Sequence, residues 1–252
     1  MSPGVDILSM TNHFQKTPLL SVIIPVYREA GRINDTLEHL LGLPGQADTE
    51  ILAVDGDLEG RTLAAIRAPA VRKIASSKGR GTQLNAGARE AAGDILFFLH
   101  ADTRLPPNAL NAIVQTLQSG EYVAGAFDLS IDSHRLAFRV IEKIACWRSR
   151  LTRIPYGDQA IFIRRDYFRS MGGFQDIPIM EDVDLMRRIK KKGGKIHILR
   201  DRAKTSARRW EQEGILYGTL RNWLLVSLFC AGVKPERLAR FYAPNTKLLN
   251  QD

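Results

Sequence analysis

The stretch LLSVIIPVY, residues 19–27, is continuously apolar and rich in β-branched side chains. A run of this kind is typical of a strand that is buried on both faces. Such strands occur mainly in parallel sheets that carry helices on either side. This one stretch therefore favours an α/β fold over an all-helical or all-β fold.

Strand and helix patterns alternate after this stretch, and the connections are short enough for right-handed βαβ crossovers. We predict further strands at 50–55, 71–76 and 94–100, and helices at 33–41, 61–67, 81–93 and 107–118. The first half therefore resembles a Rossmann-type unit, in which ligands bind at the carboxyl ends of the strands.

The second half mixes strand and helix patterns without a repeat, a low-complexity tract or a clear linker. We predict strands at 122–131, 159–165 and 195–199, and helices at 134–151, 182–192 and 216–232. The domain prediction is a flexible leader at 1–18, one domain at 19–210 and a C-terminal helical appendage at 211–252. The leader lacks the basic start and the apolar core of a signal peptide.

The formal net charge is +9, which favours phosphate-rich partners. No helix-turn-helix, zinc-finger or aromatic-interleaved basic pattern is present, so we do not expect nucleic acid as a partner. Cys146 and Cys230 lie far apart in apolar surroundings, which predicts buried free thiols in a reducing cytosol.

Two aspartates stand where predicted strands end. Asp55 ends the second strand, and Asp102 lies just beyond the fourth, so both carboxylates should face one crevice. The phosphate-binding motifs GxGxxG and GxxxxGK[ST] are both missing. The sequence therefore predicts that a divalent cation held by a carboxylate neutralises the phosphates of a ligand.

Five motifs in order resemble those of the family 2 glycosyltransferases, whose fold is the nucleotide-diphospho-sugar (GT-A) fold. They are SVIIPVYRE, AVDGD, KGRGTQLNAG, FLHADT and MEDVDL. The resemblance covers about residues 19–210, and it is strongest to a small bacterial group named for its neighbourhood with radical-SAM and selenium-associated domains. It implies a Rossmann-like mixed sheet flanked by helices.

The resemblance also implies a role for each matching residue. The residues matching the nucleotide site are Pro25, Tyr27, Glu29, Asp55, Lys78 and Arg80. Mg²⁺ or Mn²⁺ would be held by Asp102, with His100 at the place of the first acid of the DxD metal motif. Asp182 would be the catalytic base, beside Glu181. The acceptor or the diphosphate would be contacted by Asp158, Gln159, Arg209 and Trp210.

Simpler explanations exist for several of these residues. His100 could ligate the metal as a neutral imidazole or merely donate or accept a hydrogen bond. Glu181 and Asp182 could cap a helix and complement its dipole. Asp158 and Gln159 suit a turn before a strand, and the usual Gln of a longer QxxRW motif is replaced by Ser206.

We therefore predict a metal-dependent transferase that moves a sugar from a nucleotide diphosphate to an unidentified acceptor with inversion. The alternatives are a sugar-phosphate nucleotidyltransferase and an inactive module that binds a sugar nucleotide or a membrane. The apolar run at 223–233 is too short to span a bilayer. It is either a core helix or a membrane-surface helix, which would suit a lipid-linked acceptor and a cytoplasmic protein at the inner face of the membrane.

Overall fold

The computed structural model describes residues 20–45 and 48–242, so the predicted leader at 1–18 and the end of the predicted appendage lie outside the described residues. The strands are β1 Leu20–Val26, β2 Thr49–Asp55, β3 Val71–Ala75, β4 Ile95–Phe98, β5 Thr103–Arg104, β6 Ala124–Asp132, β7 Ile161–Arg164 and β8 Ile196–Ser206. The α-helices are α1 Ile33–Leu41, α2 Arg61–Ala65, α3 Arg80–Glu90, α4 Ala109–Gln118, α5 Leu136–Thr152, α6 Arg165–Ser170, α7 Glu181–Lys191, α8 Arg208–Glu213, α9 Ile215–Cys230 and α10 Pro235–Tyr242.

The strands form one mixed sheet in the order β3-β2-β1-β4-β7-β6-β8-β5. Strands β1 to β4 are parallel, whereas β7 runs antiparallel to both β4 and β6. This confirms the predicted α/β class and the mixed sheet. The chain winds from β1 towards β3 on one side and continues from β4 on the other. The strand order therefore reverses between β1 and β4, and a ligand crevice is expected there.

The first strand is apolar on both faces because each face carries its own core. Leu20, Val22 and Ile24 pack into a cluster with residues of α1 and α4. Ile23 points the other way, into a cluster with residues of α3 and α7. Both clusters are almost completely buried, which explains why the sequence shows no alternation of apolar and polar residues here.

Several predicted boundaries in the second half differ from the structure, and two of these differences have a clear physical reason. Strand β8 continues to Ser206 rather than ending at 199, and it pairs with β6 across a register shift between Phe127 and Asp128. Its basic residues lie on the exposed side while Ala203 and Thr205 are buried. The sequence of this second half of β8 therefore resembles that of a charged loop, although it forms a strand. The predicted strand at 159–165 begins later, because Gln159 belongs to a short 3₁₀ helix, Gly157–Gln159.

The C-terminal helices pack against the segment that leads into α7. Leu225 of α9 and Leu238 of α10 form a buried cluster with Ile179, Met180 and Val183. Among the described helices, none combines the length and the apolar character needed to cross a bilayer. Both cysteines are free thiols as predicted, although Cys230 is exposed and not buried.

Gly125 marks the tightest packing in β6. A Cβ atom there would come within 2.3 Å of the Phe162 ring and 2.8 Å of the His197 carbonyl oxygen. We expect Gly125→Ala to lower the free energy of unfolding by about 1–3 kcal/mol, because a packed core resists added methyl groups. Gly31→Ala is the matched control, since a Cβ there meets no atom within 4 Å. Urea denaturation of both variants checks this, and equal midpoints would contradict it.

Candidate functional site

Two adjoining cavities open at the carboxyl ends of the strands. The main cavity has a volume of about 410 Å³, and the strand-end cleft beside it has about 270 Å³. Arg80, His100 and Asp102 line both. The strand-end cleft is completed by Pro25, Val26, Tyr27, Glu29, Gln83 and Ala101. Their position is the point between β1 and β4 where the strand order reverses.

Gln83 fixes the start of α3 beside this cleft. Its side-chain amide donates to the carbonyl oxygens of Val26 and Val54, each at 2.8 Å, where β1 and β2 end. The Val26 carbonyl also accepts the Gly56 N–H at 3.1 Å. A buried amide that bonds to both strand-end carbonyls is favoured, because buried polar groups need hydrogen-bond partners. The contact holds the first turn of α3, which carries Arg80, against the two cavities.

Arg80 is the shared wall of the two cavities. Its Nη2 lies 2.5 Å from Nε2 of His100, and its Nε lies 3.1 Å from Oε1 of Glu181. Burial lowers the pKa of the guanidinium, but Glu181 and Asp182 outweigh this effect and leave the pKa raised. Gly157 makes room for the side chain, since a Cβ there would lie 1.7 Å from Nη2. A permanently charged group therefore faces the site.

His100 is neutral in this setting. Burial, followed by the charges of Arg80 and Arg209, holds the pKa of its imidazole well below the usual range. Because Arg80 can only donate, Nε2 of His100 accepts the hydrogen bond between them. A metal ion at this nitrogen would have to displace Arg80, so ligation by His100 stays a prediction.

Asp102 is the carboxylate that both cavities share. Burial raises the pKa of its carboxyl, and the charge of Arg208 opposes the rise. Within residues 20–45 and 48–242, no group of three or more His, Cys, Asp or Glu side chains could hold a metal ion by itself. The donor set therefore fits a cation such as Mg²⁺, which is often held by one or two carboxylates and takes its other ligands from substrate phosphates and water.

Asp182 and Asp158 bring two carboxylates into the main cavity. Asp182 stands in the first turn of α7, where its Oδ2 accepts the Gly157 N–H at 2.5 Å and its Oδ1 accepts the Val183 N–H at 2.7 Å. It therefore stabilises the helix start and also faces the cavity. Burial, together with the charge of Asp182, raises the pKa of the Asp158 carboxyl to about 6.

Glu181 lies deeper than its neighbour Asp182. Only 3% of its surface is exposed, and its carboxylate faces Arg80. Burial raises the pKa of this carboxyl, Arg80 opposes the rise, and Asp182 adds to it. The geometry suits a residue that orients Arg80.

The predicted nucleotide residues surround the strand-end cleft in different ways. Asp55 is 1% exposed; one oxygen accepts the Asp57 N–H at 2.9 Å, and the other has no hydrogen-bond partner among the described residues. It does not line the cleft itself but sits in register with Val26, which does. A buried carboxylate oxygen without a partner is costly, so it suits a donor from a ligand. Lys78 lies 4.5 Å above the ring of Tyr27.

The predicted acceptor and diphosphate residues separate into two groups. Arg209 and Trp210 line the main cavity, and Arg209 is held by Glu213 at 3.3 Å. Gln159 is completely buried and does not line the cavity. Its amide donates to the Phe127 carbonyl at 2.9 Å, so it anchors the 3₁₀ helix that carries Asp158.

Sequence reasoning missed several residues of the main cavity, and three of them are informative. Asn222 and Tyr242 reach it from the C-terminal helices, and Met180 borders it with a left-handed φ of 67°. The Asn222 side-chain oxygen is buried without a partner in the described part of the chain. An asparagine inside an apolar helical run was a readable signal, whereas Tyr242 carried none.

The raised pKa of Asp158 makes a testable prediction about stability. The folded protein binds this proton more tightly than a carboxyl of ordinary pKa 3.8, so its charge destabilises the fold increasingly as pH rises from about 4 to about 6. We expect Asp158→Asn to raise the free energy of unfolding, relative to the unaltered chain, more at pH 8 than at pH 4. The difference between the two pH values should be up to ~3 kcal/mol.

Asp166→Asn is the control for this change. Arg164 and the Tyr167 N–H lower the pKa of the Asp166 carboxyl despite its partial burial, so removing this charge should have the opposite sign. Urea denaturation at both pH values measures the difference. A pH-independent effect of Asp158→Asn would contradict the assigned burial of its charge.

Comparison with known proteins gives a consistent result. The family model described as "Glycosyl transferase family 2" matches residues 21–174. A relative from Bacillus subtilis, "Probable glycosyltransferase YdaM", is 25% identical over 226 residues, which is 80% of this chain and 52% of the relative. "Dolichol-phosphate mannosyltransferase" from Pyrococcus furiosus is 24% identical over 176 residues, which is 66% of this chain and 48% of the relative. The chain thus spans about half the length of these curated relatives.

A solved structure shares the fold. It is titled "Mannosyltransferase PcManGT from Pyrobaculum calidifontis in complex with GDP-Man and Mn²⁺". The TM-score is 0.65 with 20% sequence identity, over 88% of this chain and 67% of that one. At this identity the likeness establishes the fold alone, and it confirms the GT-A fold.

Proposed function

The chain belongs to glycosyl transferase family 2, and from this membership we propose that it transfers a sugar from a nucleoside diphosphate to the hydroxyl of an acceptor. The observation that carries the proposal is the convergence of Arg80, Asp102 and Asp182 on one cavity. These residues come from three separated segments, and a structural role alone does not require a cation and carboxylates to meet at an open cavity.

The donor would lie across the two cavities. The base would occupy the strand-end cleft beside Tyr27. Asp55 lies behind the lining of this cleft, and its unpartnered oxygen would accept an N–H from a base that reaches past Val26. Its diphosphate would lie near Arg80, which supplies a fixed positive charge. A preorganised cation of this kind stabilises the charge that gathers on the leaving diphosphate. The sugar then reaches the main cavity.

The metal site of the proposal is Asp102. A bound Mg²⁺ or Mn²⁺ would supply Lewis-acid stabilisation of the leaving diphosphate. The Pyrobaculum calidifontis mannosyltransferase, whose structure is a complex with GDP-Man and Mn²⁺, supports both the cation and the kind of donor. Asp102 would contribute one carboxylate, and His100 keeps its hydrogen bond to Arg80 unless that arginine moves.

The chemical step is one displacement at the anomeric carbon. The acceptor oxygen forms the new bond to this carbon on the face opposite the diphosphate, and the sugar–phosphate bond breaks with its electron pair leaving on the nucleoside diphosphate. Asp182 takes the proton of the acceptor hydroxyl. The result is inversion of configuration at that carbon.

A specific observation favours Asp158 as a second candidate for the base. Its carboxyl has a pKa of about 6, which suits proton transfer near neutral pH better than an ordinary aspartate does. Asp158 and Asp182 both line the main cavity, so either can reach an acceptor there. We keep Asp182 as the first candidate because two backbone N–H groups, of Gly157 and Val183, orient its carboxylate.

The proposal also includes a class of acceptor. The relative named dolichol-phosphate mannosyltransferase supports a lipid-linked acceptor. With such an acceptor, the proposed place of work is the inner face of the membrane. A sugar-phosphate nucleotidyltransferase is less well supported, because the first loop lacks a glycine-rich signature that bears Lys or Arg.

The donor is identified by thermal shift. We expect one nucleoside diphosphate or its sugar to raise the melting temperature by several degrees when Mn²⁺ is present, because binding to the folded state alone stabilises it. Asp102→Asn should lose the Mn²⁺-dependent part of the shift. A shift equally large without metal in both proteins would contradict the metal site at Asp102.

Substitution of the proposed base separates binding from chemistry. We expect Asp182→Asn to lower the rate of sugar transfer by at least 100-fold while nucleotide binding persists, because the donor contacts lie on Arg80 and Asp102. Release of nucleoside diphosphate measures the rate. Asp158→Asn is measured in parallel, and a larger loss in that variant would assign the base to Asp158.

A further inference from the structure

Helix α5 carries an apolar stripe that faces solvent. Leu136, Val140, Ile144, Trp147 and Leu151 follow one another at steps of three or four residues, so they share one face of the helix. All are exposed, and Leu136 is 81% exposed. Exposed apolar residues occur singly on most proteins, whereas a continuous stripe marks an interaction surface.

Helix α9 carries a second exposed apolar stripe. Leu216, Leu220, Leu224 and Leu228 recur every four residues and all face solvent. The opposite side of the same helix is already used, because Leu225 packs into the cluster beneath α7. Packing within the described chain therefore does not explain the exposed leucines.

A groove of about 340 Å³ runs between these two helices. Its walls are mainly apolar: Ile144 and Trp147 come from α5, and Trp223, Ser227 and Cys230 come from α9. Tyr156, Val183 and Val226 line both this groove and the main cavity. The groove therefore adjoins, across these three side chains, the cavity where an acceptor would present its hydroxyl.

The charged residues on and beside the two helices favour a negatively charged partner. Glu142 is the one acidic residue in α5 and α9. It is 3% exposed, and it accepts hydrogen bonds from Ser130 Oγ and the Ile131 N–H. Lys143 on α5 and Lys234, which follows α9 along the chain, are both exposed. We call the surface formed by the two stripes the α5–α9 face. It carries apolar side chains and cations, and neither α5 nor α9 adds an exposed carboxylate to it.

We infer that the α5–α9 face lies on an anionic lipid surface and that the groove holds the hydrocarbon chain of a lipid acceptor, whose polar head enters the main cavity. Leucine stripes beside lysines, with tryptophans at the groove, are suited to the boundary between headgroups and acyl chains. The inference rests on the proposed function for the identity of the head. It deepens that function by naming the acceptor as an amphiphile.

Vesicle flotation tests the surface. We expect the full chain to float with phosphatidylcholine vesicles that contain phosphatidylglycerol, and far less with phosphatidylcholine alone. The double variant Leu136→Gln with Leu151→Gln should bind at least tenfold more weakly, because each leucine contributes apolar burial. Leu41→Gln, an exposed leucine on α1, is the matched control. Equal flotation of both variants would overturn the inference.

Tryptophan fluorescence tests the groove. The chain has three tryptophans, and in Trp210→Phe the remaining two, Trp147 and Trp223, both line the groove. Dodecyl phosphate, below its micelle concentration, should shift their emission to shorter wavelength with saturation. Adding Ile144→Phe and Cys230→Phe fills the groove and should weaken this binding at least tenfold. An unsaturable response, or one that filling leaves unchanged, would overturn the groove assignment.

Two further measurements separate the inference from the proposed function. Nucleotide-induced thermal shifts are recorded on the same leucine variants and should equal those of the unaltered chain. If the unaltered chain binds no lipid but keeps its nucleotide-induced shift, the inference fails and the proposed function stands. If the unaltered chain binds lipid but no nucleotide shifts its melting temperature, the proposed function fails and the assignment of the surface stands. If sedimentation shows a dimer that the leucine double variant dissociates, the face is a self-interface and the inference fails.

Discussion

The contacts of the Arg80 guanidinium hold the site together. This one group touches His100 beyond β4 and Glu181 at the start of α7, and it lies against Gly157 of the 3₁₀ helix. Four chain segments are thereby kept at fixed distances. A half-buried charge with several partners is costly to leave unpaired, so loss of one partner weakens the arrangement as a whole. The same guanidinium lines both cavities. It therefore holds the segments of the site in place and also supplies the positive charge there.

The neutral state of His100 follows from this arrangement. Burial and the charges of Arg80 and Arg209 keep the pKa of its imidazole well below the usual range. The neutral ring accepts the hydrogen bond from Arg80, while Glu181 and Asp182 balance the charge of that arginine. Where the DxD pattern has its first acid, this chain therefore places a neutral acceptor, and Asp102 is the carboxylate that lines both cavities.

Sequence patterns predicted those parts of the fold where one force dominates. Strand β1 and its neighbours are apolar on both faces, so their existence and order could be read directly. Strand β8 could not, because its second half pairs at the margin of the sheet with charged residues outward. For the site, motifs indicated Asp102 and Asp182, yet no pattern could show that Gln159 is buried or that Tyr242 returns to the cavity. Those placements depend on long-range packing.

The C-terminal helices connect the cavity with the exposed apolar surface. Glu213 of α8 pairs with Arg209 at 3.3 Å and with Arg221 of α9 at 2.5 Å, so the cavity wall and α9 share one carboxylate. Asn222 follows Arg221 and faces the cavity, while Leu220 and Leu224 face solvent. The leucine side and the cavity side therefore belong to the same helix. A displacement of α9 would move the exposed leucines and the cavity wall together.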